Sequence, residues 1–193
     1  MKEKNKYNKL IKEIINFKKA VDEIGSTRLP HKLIGELGEF YVINKLQSLG
    51  YKNIEHKGGH SRYDILLKDQ DVKIEVRTSL LKNEGLYPKD IDFFGWRVKT
   101  KNQKKDHKFD ILIGIALPGS FKVPKFYLFT HKETEKLDIV TGGRFSNIAT
   151  KIHLFKNQEI LKKAIKAKPK HVTRFERYIN RNPEKFLNQW SKI

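Results

Sequence analysis

Between Phe109 and Leu117 the chain carries a near-continuous apolar run, FDILIGIAL, closed by Pro118-Gly119. A segment this apolar and this short reads as a strand buried on both faces of a sheet. KFYLFT (125–130) reads as its neighbour and KIHLF (151–155) as a further strand. Upstream, Tyr63, Ile65 and Leu67 alternate with Asp64 and Leu66. Val72, Ile74 and Val76 then alternate with Lys73, Glu75 and Arg77. Such alternation marks strands, and the intervening KDQD has the composition of a hairpin turn. FFGWRVKTK alternates again and sets Arg97, Lys99 and Lys101 on one side.

Helical patterns flank these strands. Tyr7, Leu10, Ile14, Phe17, Val21 and Ile24 recur at three- and four-residue steps, a seam that needs either its own domain or a second subunit to cover it. Gly25 and STRLP end that helix, and a second is expected from Lys32 to Leu49, stopping at Gly50. Helical pattern returns from Gln158 to Lys166 and from Val172 onward, interrupted by Pro169 and Pro183. The division expected is an N-terminal helix (1–25), an α/β core (31–155) and a helical C-terminal extension (156–193).

Charge narrows the class of partner. Lys and Arg total 41 against 22 Asp and Glu, a net charge of +19. Such an excess attracts polyanions, and counterion release drives their binding, so nucleic acid is the expected partner. A lysine-rich proteome or an anionic membrane surface are the alternatives. The chain has no cysteine, which excludes disulfides, thiolate zinc sites and cysteine nucleophiles. The start, MKEKNKYNK, lacks a signal-peptide core, and no run approaches the roughly 18 apolar residues of a membrane span. A soluble, cytoplasmic protein is expected.

Pairing the two hairpin strands brings Asp64 beside Glu75, both directed away from the apolar face. Two carboxylates that close repel unless a cation separates them. Magnesium suits the task, taking hard oxygen ligands and keeping several waters, and it can activate a water against a phosphodiester. Arg77, two residues past Glu75, points into the same space and could stabilise charge on phosphate. The alternative is an exposed hairpin carrying ordinary surface charges.

The stretches GELGEFYVINKLQSLGY, SRYDILL and VKIEVRTS, in that order and followed by a buried strand, resemble the PD-(D/E)xK nuclease superfamily. That group has the restriction-endonuclease-like fold and includes restriction enzymes, archaeal Holliday-junction resolvases and some homing endonucleases. The likeness spans residues 33–130 and rests on order and context more than on identity. It implies a mixed β-sheet flanked by helices, with Asp64 and Glu75 as metal ligands and the Val76 backbone carbonyl as a third. It also implies that Glu39, eleven residues before Gly50, joins the site from the first core helix and holds water on the metal. One position departs. The family's lysine is replaced by Arg77, which keeps the charge but is permanently protonated and planar. Either Arg77 substitutes electrostatically, or Lys73 or Lys99 supplies the ammonium, or catalysis is lost and binding remains.

The resemblance implies a magnesium-dependent DNA endonuclease, with manganese as a possible substitute, of type II restriction or related site-specific kind. A structure-selective, junction-resolvase-like nuclease and an inactive binder are the alternatives. Double-stranded DNA is the expected substrate, a homodimer the expected assembly, and no small-molecule cofactor is expected. Lys73, Arg97, Lys99, Lys101, Arg174 and Arg177 are candidates for contacts to DNA. Phe94 and Trp96 read better as core residues of an extra strand than as base-stacking groups. Glu36 reads as a solvated charge. His56 and His60 have the spacing of a helical zinc pair, but Gly58-Gly59 between them makes a helix there unfavourable. No G-x-S-x-G elbow supports a serine hydrolase.

Overall fold

The computed structural model describes residues 2–23, 30–57, 61, 63–81, 87–100, 109–136, 149–172 and 174–193. In chain order the elements are α1 (Lys2–Glu23), α2 (His31–Ser48), β1 (Ile54–His56), β2 (Ile65–Leu67), β3 (Val72–Leu80) and β4 (Phe93–Thr100). They continue with β5 (Ile111–Leu117), β6 (Lys125–Thr130), α3 (His131–Glu135), β7 (Ala149–Phe155), α4 (Gln158–Ala167) and α5 (Arg174–Arg181). The fold is α/β, with a mixed sheet of order β1-β2-β3-β5-β6 flanked by helices. β3 and β5 are parallel; the other neighbours in that sheet are antiparallel.

All seven residues of β5 are buried, because both faces of the sheet are covered. On one face Ile111, Ile113 and Ile115 pack with Ile74 and Val76 of β3 against Leu37, Val42, Ile43 and Leu46 of α2. α2 lies close to β3: a Cβ added to Gly38 would fall 1.8 Å from the Thr78 hydroxyl. The helix ends as its sequence dictates. Gly50 adopts φ +96°, and the amides of Gly50 and Tyr51 turn back to the carbonyls of Gln47 and Leu46.

α1 packs on α2, and Asn44 Nδ2 donates to Asn8 Oδ1 at 2.8 Å. Its buried stripe differs from the expected seam. Ile11 and Ile14 are buried, whereas Phe17 is 52% exposed. Residues 17 and 18 both satisfy helical spacing from Ile14. Lys18 takes the half-buried place instead, its Nζ 5.6 Å from the Phe121 ring centroid. Ile24 and Gly25 lie outside the described residues.

The opposite face of the sheet is covered too, as a strand buried on both faces requires. β4 and β7 pair antiparallel as a second, two-stranded sheet, and Trp96, Val98, Ile152 and Leu154 pack over Leu112, Ala116 and Phe129. Trp96 lies against Gly114, where an added Cβ would meet the indole at 2.8 Å, and its Nε1 donates to the Ile115 carbonyl at 3.0 Å. Trp96 is therefore a core residue and Phe94 a partly buried one. The helical pattern from Val172 onward stops at the break expected of Pro183. α5 ends before Pro183, and the remaining chain turns back along β6, with Asn188 N bonded to the Phe126 carbonyl at 2.8 Å. Among the described residues no helix is long and apolar enough to cross a membrane.

Candidate active site

The register Ile65↔Ile74 sets Asp64, one step beyond the end of β2, against Glu75. Ladder bonding continues through it: Asp64 N donates to the Ile74 carbonyl at 3.0 Å, and Lys57 N donates to the Asp64 carbonyl at 2.9 Å. The carboxylate folds back onto β3, where Oδ2 accepts from Val76 N at 2.7 Å. Asp64 thus has one defined orientation, held by a backbone donor.

Glu75 alternates with Ile74 and Val76 and so faces away from α2, beside Leu112 on β5. That side is not open, because the second sheet lies over it, and Glu75 is 6% exposed. Burial raises its carboxyl to about 7, with Asp64 and Glu39 adding to the rise and Arg77 opposing it. Burial also raises Asp64, with the bond from Val76 N opposing.

Arg77 binds the set together. Its Nη2 pairs with Glu75 Oε1, and its Nη1 stands 3.8 Å from Asp64 Oδ2. Nη1 also donates to the Val76 carbonyl at 3.0 Å, and Nε donates to the Arg97 carbonyl at 3.2 Å. One planar cation therefore touches two carboxylates and the intervening backbone oxygen. The three oxygen groups suited to a hard divalent ion already converge on a positive charge. Among the described residues no group of three His, Cys, Asp or Glu side chains is placed to hold a metal, so a metal here would rest on two carboxylates and a carbonyl.

Glu39 projects from α2 toward the same end of the sheet. Its Oε2 accepts from His56 Nε2 at 2.5 Å. The bond to Glu39 raises the imidazole's pKa, and Asp64 and Glu36 push it the same way. The sequence offers His56 only as half of a helical zinc pair with His60, which Gly58-Gly59 makes unfavourable; His60 lies outside the described residues. The contact to Glu39 joins β1 to α2, and no local pattern records it. Glu36 is a solvent-facing group 3.9 Å from Lys32 Nζ.

The basic candidates divide. Arg97 is exposed on β4 and meets the acids only through its carbonyl bond to Arg77. The ammonium of Lys73 is paired with Asp71 in the β2–β3 turn at 3.6 Å. Arg174 and Arg177 sit on α5, which packs on β7 rather than on the strands that bear the acids. Lys99 belongs to β4 by its backbone, and Lys101 lies outside the described residues.

No family model matches the chain, and no curated protein does. Among solved structures it is similar to a bacterial homing endonuclease, I-Ssp6803I, at 16% identity and a TM-score of 0.45, over 68% of this chain and 79% of that one. At that level the likeness carries no weight for activity.

Proposed function

We propose that this chain is a metal-dependent DNA endonuclease of the PD-(D/E)xK type, with its active site at Asp64, Glu75, Arg77 and Glu39. The observation that carries the reading is the convergence of Asp64, Glu75 and the Val76 carbonyl on one cationic group, in a chain of net charge +19. Hard oxygens focused on one point are a common way to hold a small divalent ion, and the positive field suits a phosphate polymer.

Magnesium, or manganese in its place, would be held by Asp64, Glu75 and the Val76 carbonyl and would supply Lewis-acid activation of water and phosphate. The chain's own groups have separate tasks. The Val76 amide keeps Asp64 from rotating away. Burial of Glu75 keeps its carboxylate poorly hydrated and therefore strongly drawn to a cation. Glu39 accepts a hydrogen bond from the attacking water and orients it. Arg77 stabilises charge on the non-bridging phosphate oxygens. The water oxygen bonds to phosphorus as one P–O ester bond breaks; the water gives up a proton to bulk solvent, and the departing oxygen takes one from it.

Duplex DNA is the proposed substrate, with Arg97 and Lys73 as phosphate contacts near the site, Arg174 and Arg177 as outlying ones, and Lys99 and Lys101 as further candidates from the sequence. Cutting both strands calls for two sites, so the reading includes a homodimer. A site-specific endonuclease is favoured over a junction-selective one. Incubation of supercoiled plasmid with the protein and magnesium tests this. Discrete fragments support site-specific cleavage, and cutting confined to branched DNA selects the resolvase kind. DNA retarded but intact, with magnesium or manganese, overturns the enzyme in favour of a binding protein.

A further inference from the structure

We propose that His56 is a positioning residue of this active site, acting through Glu39; the inference rests on the nuclease reading above. His56 closes β1, and the register His56↔Ile65 places it next to the strand that ends in Asp64. Its Nε2 reaches back to α2 and donates to Glu39 Oε2 at 2.5 Å, joining two residues 17 apart in the chain.

A solvated histidine and glutamate on a surface would need no further support, and this pair has it. The imidazole stands edge-on to Phe40, the residue after Glu39, with ring centroids 5.9 Å apart at 71°. Phe40 is in turn backed by Tyr7 of α1 at 5.5 Å. The two paired side chains are only 26% and 16% exposed. The imidazole is thus gripped by a carboxylate and an aromatic edge from the same helix, which leaves its ring little freedom to turn.

The physical consequence falls on Glu39. A glutamate has three side-chain torsions and, beside two other acids, every electrostatic reason to swing outward. The N–H of His56 holds one of its oxygens, so the other has a defined direction from which to accept a hydrogen from water. His56 touches no reacting atom in this scheme and does no proton transfer. It fixes where the third acid stands, as partners of active-site carboxylates commonly do.

The test compares two variants of similar volume. In His56→Gln the amide can still donate to Glu39, whereas His56→Leu fills the space without a donor. DNA affinity, measured with calcium to block turnover, is expected within about twofold of wild type for both. With magnesium, His56→Leu is expected to lose roughly 10- to 100-fold in kcat while His56→Gln keeps most of it. Adding His56→Leu to Glu39→Gln is expected to cost nothing further, because the effect runs through Glu39. Equal kcat for the Leu and Gln variants overturns the proposal and leaves the nuclease reading standing. A wild-type protein inert toward DNA with either metal overturns both. If His56→Leu lowers the Tm so far that it cannot be assayed, His56→Gln decides alone: a loss as deep as that of Glu39→Gln overturns the hydrogen-bond role.

Discussion

The guanidinium of Arg77 is paired with the carboxylate of Glu75, two residues earlier on the same strand. Residues i and i+2 share a face of a strand, so the pairing follows from local geometry. Its reach to Asp64 at 3.8 Å does not, because that contact crosses to the neighbouring strand. Arg77 thereby neutralises a pair of acids that burial leaves poorly hydrated. It also stands against the oxygens that a divalent ion would use, so an ion bound there would compete with the arginine for one position.

Arg77→Ala is accordingly expected to bind manganese more tightly than wild type, by about tenfold in a calorimetric titration. The same substitution costs stability without metal, about 1–2 kcal/mol, since Arg77 is 41% exposed and its pairing is partly screened. Arg77→Lys is expected to retain or raise nuclease activity. A lysine variant with no activity beside an active wild type would show that the planar fork, not the charge, is what the site requires.

On the proposed reading Asp64 has two duties that different substitutions separate. Asp64→Asn preserves an acceptor for the Val76 amide, while Asp64→Ala leaves that amide unpaired at a cost of about 1–3 kcal/mol. Both are expected to abolish cleavage and spare DNA binding, and only the alanine variant should melt clearly earlier. Normal cutting by Asp64→Asn would remove Asp64 from the site.

Stability should respond to pH in a definite direction. The pKa values of Asp64 and Glu75 are raised by burial, and His56 is raised by its bond to Glu39. A group whose folded-state pKa is raised favours the folded state when protonated. Glu75's contribution is therefore complete below an ordinary glutamate's 4.5 and is lost as pH rises through about 7. Metal-free protein is expected to lose roughly 1–3 kcal/mol between pH 5 and pH 8, seen as a falling Tm. Magnesium, which favours the ionised carboxylates, should recover more of the Tm at pH 8 than at pH 5. A Tm that climbs across this range in a chelator would contradict the raised carboxyls.

Gly38 controls how closely α2 approaches β3, and Glu39 is the next residue. Gly38→Ala places a methyl 1.8 Å from the Thr78 hydroxyl, a distance no packing tolerates, so helix or strand must shift. A loss of about 1–3 kcal/mol is expected, together with reduced kcat as Glu39 moves. Thr78→Ala removes the obstructing oxygen, which makes no hydrogen bond among the described residues, and the double variant should recover part of both losses. Unfolding and cleavage assays on the four proteins check this, and independent, additive losses would argue against a direct contact.

Much of the framework was legible because it is local. The alternation of residues 63–67 and 72–76 about a four-residue turn determines a hairpin, and a hairpin determines that Asp64 lies across from Glu75. The unbroken apolar run ending at Leu117 required a strand covered on both sides, and Gly50 had to end α2. In each case the partner residues are close in sequence, or the constraint sits in one residue's own backbone.

What the linear pattern left open was decided by elements that meet only when the chain closes. Three- and four-residue spacing admits Phe17 and Lys18 equally, and only the tertiary contact with Phe121 gives the lysine the half-buried place and leaves Phe17 exposed. The alternation around Glu75 says nothing of the β4–β7 sheet that covers it, because those two strands pair residues 49 to 62 apart in the chain. His56 looked like half of a broken zinc motif until α2 and β1 came together and gave it Glu39. Periodicity reports which side of an element is apolar. Burial, pairing and the pKa values that follow depend on what packs against that side, and this is a property of the closed structure.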